Sequence, residues 1–251
     1  MVMARSLTLA ALFLAFAASP ALADDKDRDG WIDLFAAGKF EAFKPVKSDW
    51  YYATDVQVDP NDPKKIVGTK AESGPIAING KGRTTNLVTK EKFGDCELSF
   101  DFFMPKGSNS GVKFHAVYEI QLFDSYGRKK LDGSDCGGIY PRSESKPKYH
   151  HIDDGIAPKV NASKPPGQWQ HMDIIFIVPR FGADGKRTVK ANVTVRLNDQ
   201  IVQDHTELEC PTGNNWKNKE VEKGPLLIQA DHGPVAFRNF RIRHLPPASG
   251  N

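Results

Sequence analysis

Apolar and polar residues alternate along this chain with a period of two. Cys96-Glu97-Leu98-Ser99-Phe100-Asp101-Phe102 alternates without a break, the pattern of an extended segment with one buried face. Met172, Ile174, Phe176 and Val178 repeat it. So do Val189, Ala191, Val193, Val195 and Leu197, with Thr188, Lys190, Asn192, Thr194 and Arg196 facing the other way. Asn198-Asp199-Gln200 turns the chain into Ile201-Val202, which predicts a hairpin. Residues 226–231 and 236–243 predict a last strand pair about a turn at His232-Gly233-Pro234. No long amphipathic helix is predicted after residue 23. Many short strands punctuated by Gly and Pro predict an all-β sandwich, barrel or jelly roll. Residues 127–167 are the exception, rich in Gly, Pro, Ser, Lys and Asp with little periodicity. A loop of that length in a compact domain is usually functional or mobile.

The first 23 residues carry a different signal. Arg5 supplies a positive start, Leu7 to Ala18 an apolar run too short to span a bilayer comfortably, and Ala21-Leu22-Ala23 a small-x-small cleavage site. The expectation is a cleaved signal peptide over 1–23, a single domain over 24–251, and a secreted or periplasmic location. No later stretch is apolar enough for a membrane helix. The chain has 34 Lys and Arg against 31 Asp and Glu, a formal charge of +3 that falls to about +2 without Arg5. The basic residues are spread rather than blocked, which speaks against a nucleic-acid partner. Three cysteines are an odd number for an oxidising compartment. Cys96 shares the alternation of its strand and reads as a core residue. Cys136 and Cys210 lie in loop-like contexts and are candidates for a disulfide, although sequence does not fix their separation.

Candidate chemistry sits on two strands. In Tyr118-Glu119-Ile120-Gln121-Leu122, parity places Glu119 and Gln121 on one face, with Asp124 at the strand exit. That face is either a polar patch for sugar hydroxyls or a catalytic carboxylate, or an ordinary solvated face. In residues 226–231, Gln229 and Asp231 share a face and His232 follows. A carboxylate beside a histidine is a plausible acid/base pair if the turn re-aims one of them. Otherwise it is a turn with a solvated histidine. Arg238 shares parity with Ala236, Phe240 and Ile242, so it sits at a rim or pairs with a carboxylate, Glu119 or Asp231 being the candidates. Trp169 is either a sugar-stacking platform or a core cap. His150-His151-x-Asp153-Asp154 offers metal-ligand residue types at no recognised spacing.

Seven segments together resemble a known family, in its order. They are Trp31-Ile32-Asp33-Leu34-Phe35 with Gly38-Lys39, Phe93-Gly94-Asp95-Cys96-Glu97-Leu98, Pro105-Lys106-Gly107-Ser108-Asn109-Ser110-Gly111-Val112, and Tyr118-Glu119-Ile120-Gln121-Leu122-Phe123-Asp124-Ser125. Cys136-Gly137-Gly138-Ile139-Tyr140, the run from Asn161 through Lys164-Pro165-Pro166-Gly167-Gln168 to Trp169, and Gln229-Ala230-Asp231-His232-Gly233 complete the set. The chain resembles the 3-keto-disaccharide hydrolase domain family over roughly residues 31–245. The resemblance implies a concanavalin A-like jelly-roll β-sandwich of two antiparallel sheets. It implies action on glycosides whose glucose is oxidised at C3, by removal of the C2 proton and elimination at C1, with hydration afterwards. On this reading Glu119 or His232 is the base and Asp231 orients His232. Arg238 or a bound divalent cation stabilises the enolate, no other cofactor being expected. Gln121, Asp124, Gln229, Arg238, Trp169 and Lys164 bind substrate. The family often has Gly-Arg where this chain has Ala116-Val117, so a positive charge here would come from Lys113 or His115. The expected partner is carbohydrate, with no membrane contact after signal cleavage and no oligomeric state indicated. A non-catalytic, lectin-like binding domain is the competing reading, since the same sandwich serves both uses.

Overall fold

The computed structural model describes residues 29–36, 40–45 and 47–246, so the predicted signal segment lies outside the described residues. These residues form no α-helix and nineteen short strands. The first six are β1 (Ile32–Asp33), β2 (Tyr51–Ala53), β3 (Gln57–Asp59), β4 (Asp62–Val67), β5 (Lys70–Ala71) and β6 (Ile76–Ile78). Then come β7 (Leu87–Phe93), β8 (Cys96–Phe103), β9 (Asn109–Phe114), β10 (Tyr118–Phe123), β11 (Ser143–Glu144) and β12 (His150–His151). The rest are β13 (Trp169–Ile177), β14 (Arg180–Phe181), β15 (Arg187–Val189), β16 (Ala191–Leu197), β17 (Gln200–Leu208), β18 (Gly224–Ile228) and β19 (Ala236–His244).

Two antiparallel sheets pack as a sandwich. The larger has nine strands in the order β17-β16-β13-β8-β19-β6-β2-β5, with β1 added to β19. The smaller has the order β10-β9-β18-β7. The alternation predicts which side chains fill the space between them. Leu98, Phe100 and Phe102 of β8, Ile174 and Phe176 of β13, and Val193 and Val195 of β16 are fully buried. Phe114 of β9 stacks on Phe176 of β13 at 4.5 Å across the gap, so the two sheets meet face to face. Truncating a phenylalanine at such a site costs about 3–5 kcal/mol. The predicted hairpin at Asn198-Asp199 is present, with φ of 47° and 68° at the two turn residues, the backbone a tight two-residue turn requires.

The predicted last pair does not form, since β18 joins β7 and β9 in the smaller sheet and β19 joins β8 and β6 in the larger. Three further details depart from expectation. Val189 lies on the short ribbon β14–β15 and is half exposed, so the core alternation begins at Ala191. Cys96 is a core residue as expected, but all three cysteines are free thiols and Cys136 and Cys210 are not joined. The third concerns Arg238. Asn239 adopts φ 52° and the register of β19 against β8 shifts between Arg238 and Arg241, a β-bulge. The extra residue reverses the alternation, so Phe237 and Phe240 both enter the main core while Arg238 points to the opposite side of the sheet.

The smaller sheet would end in an open edge at β10. The long 127–167 segment covers it. Gln121 N–H donates to Gly138 O at 2.9 Å, Gly137 N–H to Gln121 O at 2.8 Å and Tyr140 N–H to Glu119 O at 3.1 Å. Pairing with the loop removes the free edge and brings loop side chains over the outer face of the sheet.

Candidate active site

That outer face is the floor of a cavity of about 710 Å³. Asn109 and Lys113 rise from β9, Glu119 and Gln121 from β10, and Gln229 from just beyond β18. Tyr140, Tyr149 and His151 of the long loop form one wall, and Gly213, Asn214 and Asn215 another. His232 closes the rim.

Glu119 is the buried charge of the floor, only 2 % exposed. Register places it directly across from Lys113, whose Nζ lies 2.9 Å from Glu119 Oε2. Gly111 makes the space: a Cβ there would stand 2.6 Å from Glu119 Oε1. Burial pushes the Glu119 carboxyl above the ordinary glutamate range, against the opposing pull of Lys113 and His232, and the Asp231 charge adds to the rise. Glu119 and Gln121 therefore do not form an ordinary solvated face.

Two amides flank this pair. Gln121 donates through Nε2 to Asn109 Oδ1 at 3.2 Å. Its Oε1, and Oε1 of Gln229, are buried without a hydrogen-bond partner. An unmet buried acceptor costs about 1–3 kcal/mol. Both residues line the cavity, and hydroxyl donors of a ligand are the kind of group that satisfies such acceptors. At the rim, the turn after Ala230 does re-aim the neighbouring side chains, and His232 Nδ1 lies 2.7 Å from Asp231 Oδ1. Both are about half exposed. On the loop wall, Tyr140 Oη is 2.7 Å from Tyr149 Oη and 3.2 Å from His151 Nε2.

The remaining predicted residues lie elsewhere. Asp124 accepts the Gly107 N–H at 2.8 Å and fixes the turn before β9. Arg238 faces neither Glu119 nor Asp231. Its Nε donates to Asp101 Oδ2 at 3.0 Å, and its guanidinium lies 4.1 Å over the Trp169 ring. Trp169 packs on Phe103 in a small apolar cluster outside the main core, and Lys164 Nζ donates to the Trp169 carbonyl at 3.3 Å. Arg238 belongs to the large sheet and the cavity to the outer face of the small one, and the bulge at Asn239 lets Phe240 enter the core while Arg238 stays on the outside.

Ala116 takes φ 61° in the turn between β9 and β10, next to His115 at φ 54°. His115 is buried, with Nε2 2.9 Å from Phe93 O, so the positive charge beside Glu119 comes from Lys113. The His150–Asp154 segment is occupied otherwise. Asp153 binds Arg142 at 2.5 Å, His150 Nδ1 is 3.0 Å from Lys148 O, and His151 joins the two tyrosines. Among the described residues no group of three or more His, Cys, Asp or Glu is placed to hold a metal ion. Tyr140, Tyr149 and Asn109 escaped the residue-by-residue reading, and His151, read as a metal-ligand type, lies instead on the cavity wall with the tyrosines. Tyr140 and Asn109 do lie inside motifs of the resemblance, which is the signal that could have found them.

A β-sandwich whose smaller sheet carries a cavity floored by a buried carboxylate and unmet amide acceptors has the form of a carbohydrate-active domain. Residues 30–243 match the model of the 3-keto-alpha-glucoside-1,2-lyase-like domain, and the chain belongs to that family. Crystal structures of candidate glycosyl hydrolases from Parabacteroides distasonis ATCC 8503 share the fold. One is 24 % identical, with a TM-score of 0.55 over 80 % of this chain and 93 % of that chain. Another is 21 % identical, with a TM-score of 0.56 over 86 % of this chain and 99 % of that one. No curated protein matches this chain.

Proposed function

We propose that this protein is an exported enzyme that cleaves 3-keto-glucosides by eliminating the group at C1 after removing the proton at C2. The observation that carries the reading is the buried Glu119–Lys113 pair between two unmet amide acceptors. A ketone at C3 acidifies the C2–H, so a single carboxylate of raised basicity suffices as base. Glu119 takes the C2 proton. The electrons pass to the C3 oxygen, where the ammonium of Lys113 stabilises the enolate. The enolate reforms the ketone, the C1–C2 double bond closes and the C1–O bond breaks. Water then adds across that bond, its hydroxyl to C1 and a proton to C2. The paired carboxylates of an ordinary glycosidase are not needed. Gln121 and Gln229 accept sugar hydroxyls, and Asp231 holds His232 at the mouth. Export follows from the signal-like residues 1–23 and suits an enzyme that meets sugars outside the cytosol.

Replacing Glu119 with Gln tests the assignment. The expected loss is about 10³-fold or more in kcat on a 3-keto-glucoside, with folding intact. Full turnover by that variant removes Glu119 from the mechanism. The acid limb of kcat/KM is expected above pH 4.5, the ordinary glutamate value, because burial raises this carboxyl. A lectin-like protein would bind the same sugar with no release of aglycone.

A further inference from the structure

The elimination just proposed leaves one proton unassigned, the one that the departing oxygen must receive. We infer that Tyr140 is a further catalytic residue, the acid that protonates the C1 oxygen as it leaves, with Tyr149 and His151 returning its proton. The inference rests on the elimination reading and deepens it.

Position comes first. The Tyr140 N–H donates to the carbonyl of Glu119, so the two residues are neighbours on adjacent extended segments. Their side chains converge on Gly213: a Cβ built there would lie 3.8 Å from Tyr140 Cδ1 and 4.0 Å from Glu119 Oε2. The Tyr140 ring and the proposed base thus border the same small volume, and both residues line the cavity. C2 and C1 are adjacent atoms of the sugar, so a base at one and an acid at the other must be close neighbours.

Connection comes second. Tyr140 Oη lies 2.7 Å from Tyr149 Oη and 3.2 Å from His151 Nε2, and His151 Nε2 lies 3.2 Å from Tyr149 Oη. Tyr149 and His151 are both exposed, so this closed set of three joins the cavity wall to solvent. Burial, the Tyr149 hydroxyl and the Glu119 charge all push ionisation of Tyr140 upward, which keeps the phenol protonated until the leaving oxygen takes its proton.

In the step itself the Tyr140 O–H bond breaks as the C1–O bond breaks, and the aglycone departs as a neutral alcohol. The sugar retains its C3 ketone and a C1–C2 double bond. The phenolate then takes a proton from solvent through Tyr149 and His151, and Glu119 gives up the C2 proton. No oxidant or reductant is involved.

Leaving-group dependence reads this role directly. Wild type, Tyr140→Phe and His151→Ala are each assayed with methyl and 4-nitrophenyl 3-keto-glucosides. The nitrophenolate leaves without protonation and the alkoxide does not. Tyr140→Phe is expected to lose about 10²–10³-fold in kcat/KM on the methyl glycoside and less than about fivefold on the nitrophenyl one. His151→Ala, at an exposed position that tolerates truncation, is expected to show the same selectivity on a smaller scale. Equal losses on both substrates, or no loss on either, overturn the inference, as does a wild type that cleaves only the nitrophenyl substrate. A wild type that cleaves neither removes the elimination reading itself, a result distinct from unselective variants.

Discussion

Two faces of the sandwich carry histidine, carboxylate and cation together, and they differ in how their polar atoms are satisfied. On the outer face of the large sheet, Asp101 accepts from Arg238 at 3.0 Å and Asn239 at 2.8 Å, and lies 2.7 Å from His171. His171 in turn lies 3.1 Å from Asp173. The groups there answer one another. On the outer face of the small sheet, the Gln121 and Gln229 carbonyl oxygens are buried with nothing to accept from, and Glu119 is held where burial raises its pKa. A closed network stabilises a fold, whereas an open one costs stability unless a ligand completes it. The residue types alone do not separate the two faces, and that is why Arg238 and Trp169 read as site residues from sequence.

Changes on the two faces should therefore have opposite signatures, and the largest belongs to the cavity. Gly111→Ala drives a methyl group to 2.6 Å from Glu119 Oε1. Displacement of a reacting group by about 1 Å costs about 10²-fold in turnover. A Gly111→Ala enzyme with wild-type kcat would mean that the carboxylate position is not critical. Gln121→Ala and Gln229→Ala each remove an unmet acceptor. Each is expected to weaken sugar binding about tenfold, an estimate of about 1–1.5 kcal/mol per hydrogen bond, without lowering Tm. A fall in Tm with unchanged KM would mark them as structural.

On the other face the sign reverses. Asp101→Ala leaves Arg238 and His171 without a shared acceptor and is expected to destabilise the fold by about 1–2 kcal/mol, read by urea unfolding, with kcat unchanged. Loss of activity beyond the loss of folded protein would couple the two faces. The smallest effect is a pH dependence. The Asp173 and Asp101 carboxylates raise His171 to about 9 from an ordinary 6.5. Its folded pKa lies above its unfolded value, so its contribution is complete below about pH 6.5 and is lost as pH rises through about 9. His171 is partly exposed, so solvent screens the effect. Tm of wild type relative to His171→Gln should narrow across that window, and a constant difference would contradict the assignment.

Most of the fold was legible because burial imposes a two-residue period on strands. Leu98, Phe100 and Phe102, and Ile174 and Phe176, face the core as their parity requires. Glu119 and Gln121 also share the expected face, but parity gives direction and not depth. Whether that face meets solvent or a cavity depends on the 127–167 loop, whose pairing with β10 runs through backbone atoms and leaves no period. Tyr140 and Tyr149 were invisible for the same reason, and His151 was read only as a metal-ligand type. Arg238 failed differently, since one left-handed residue, Asn239, inverts the alternation and nothing in the residue type announces it.

The central claim is that Glu119 removes the C2 proton. Incubating the protein with a 3-keto-glucoside deuterated at C2, and following aglycone release and label by mass spectrometry, tests it most directly. The account predicts slower release than from the protiated substrate, loss of the C2 deuteron to water from the released sugar, and abolition of both release and wash-out in Glu119→Gln. Release of a sugar that keeps its C2 deuteron would contradict it, for the C1–O bond would then have broken without the elimination.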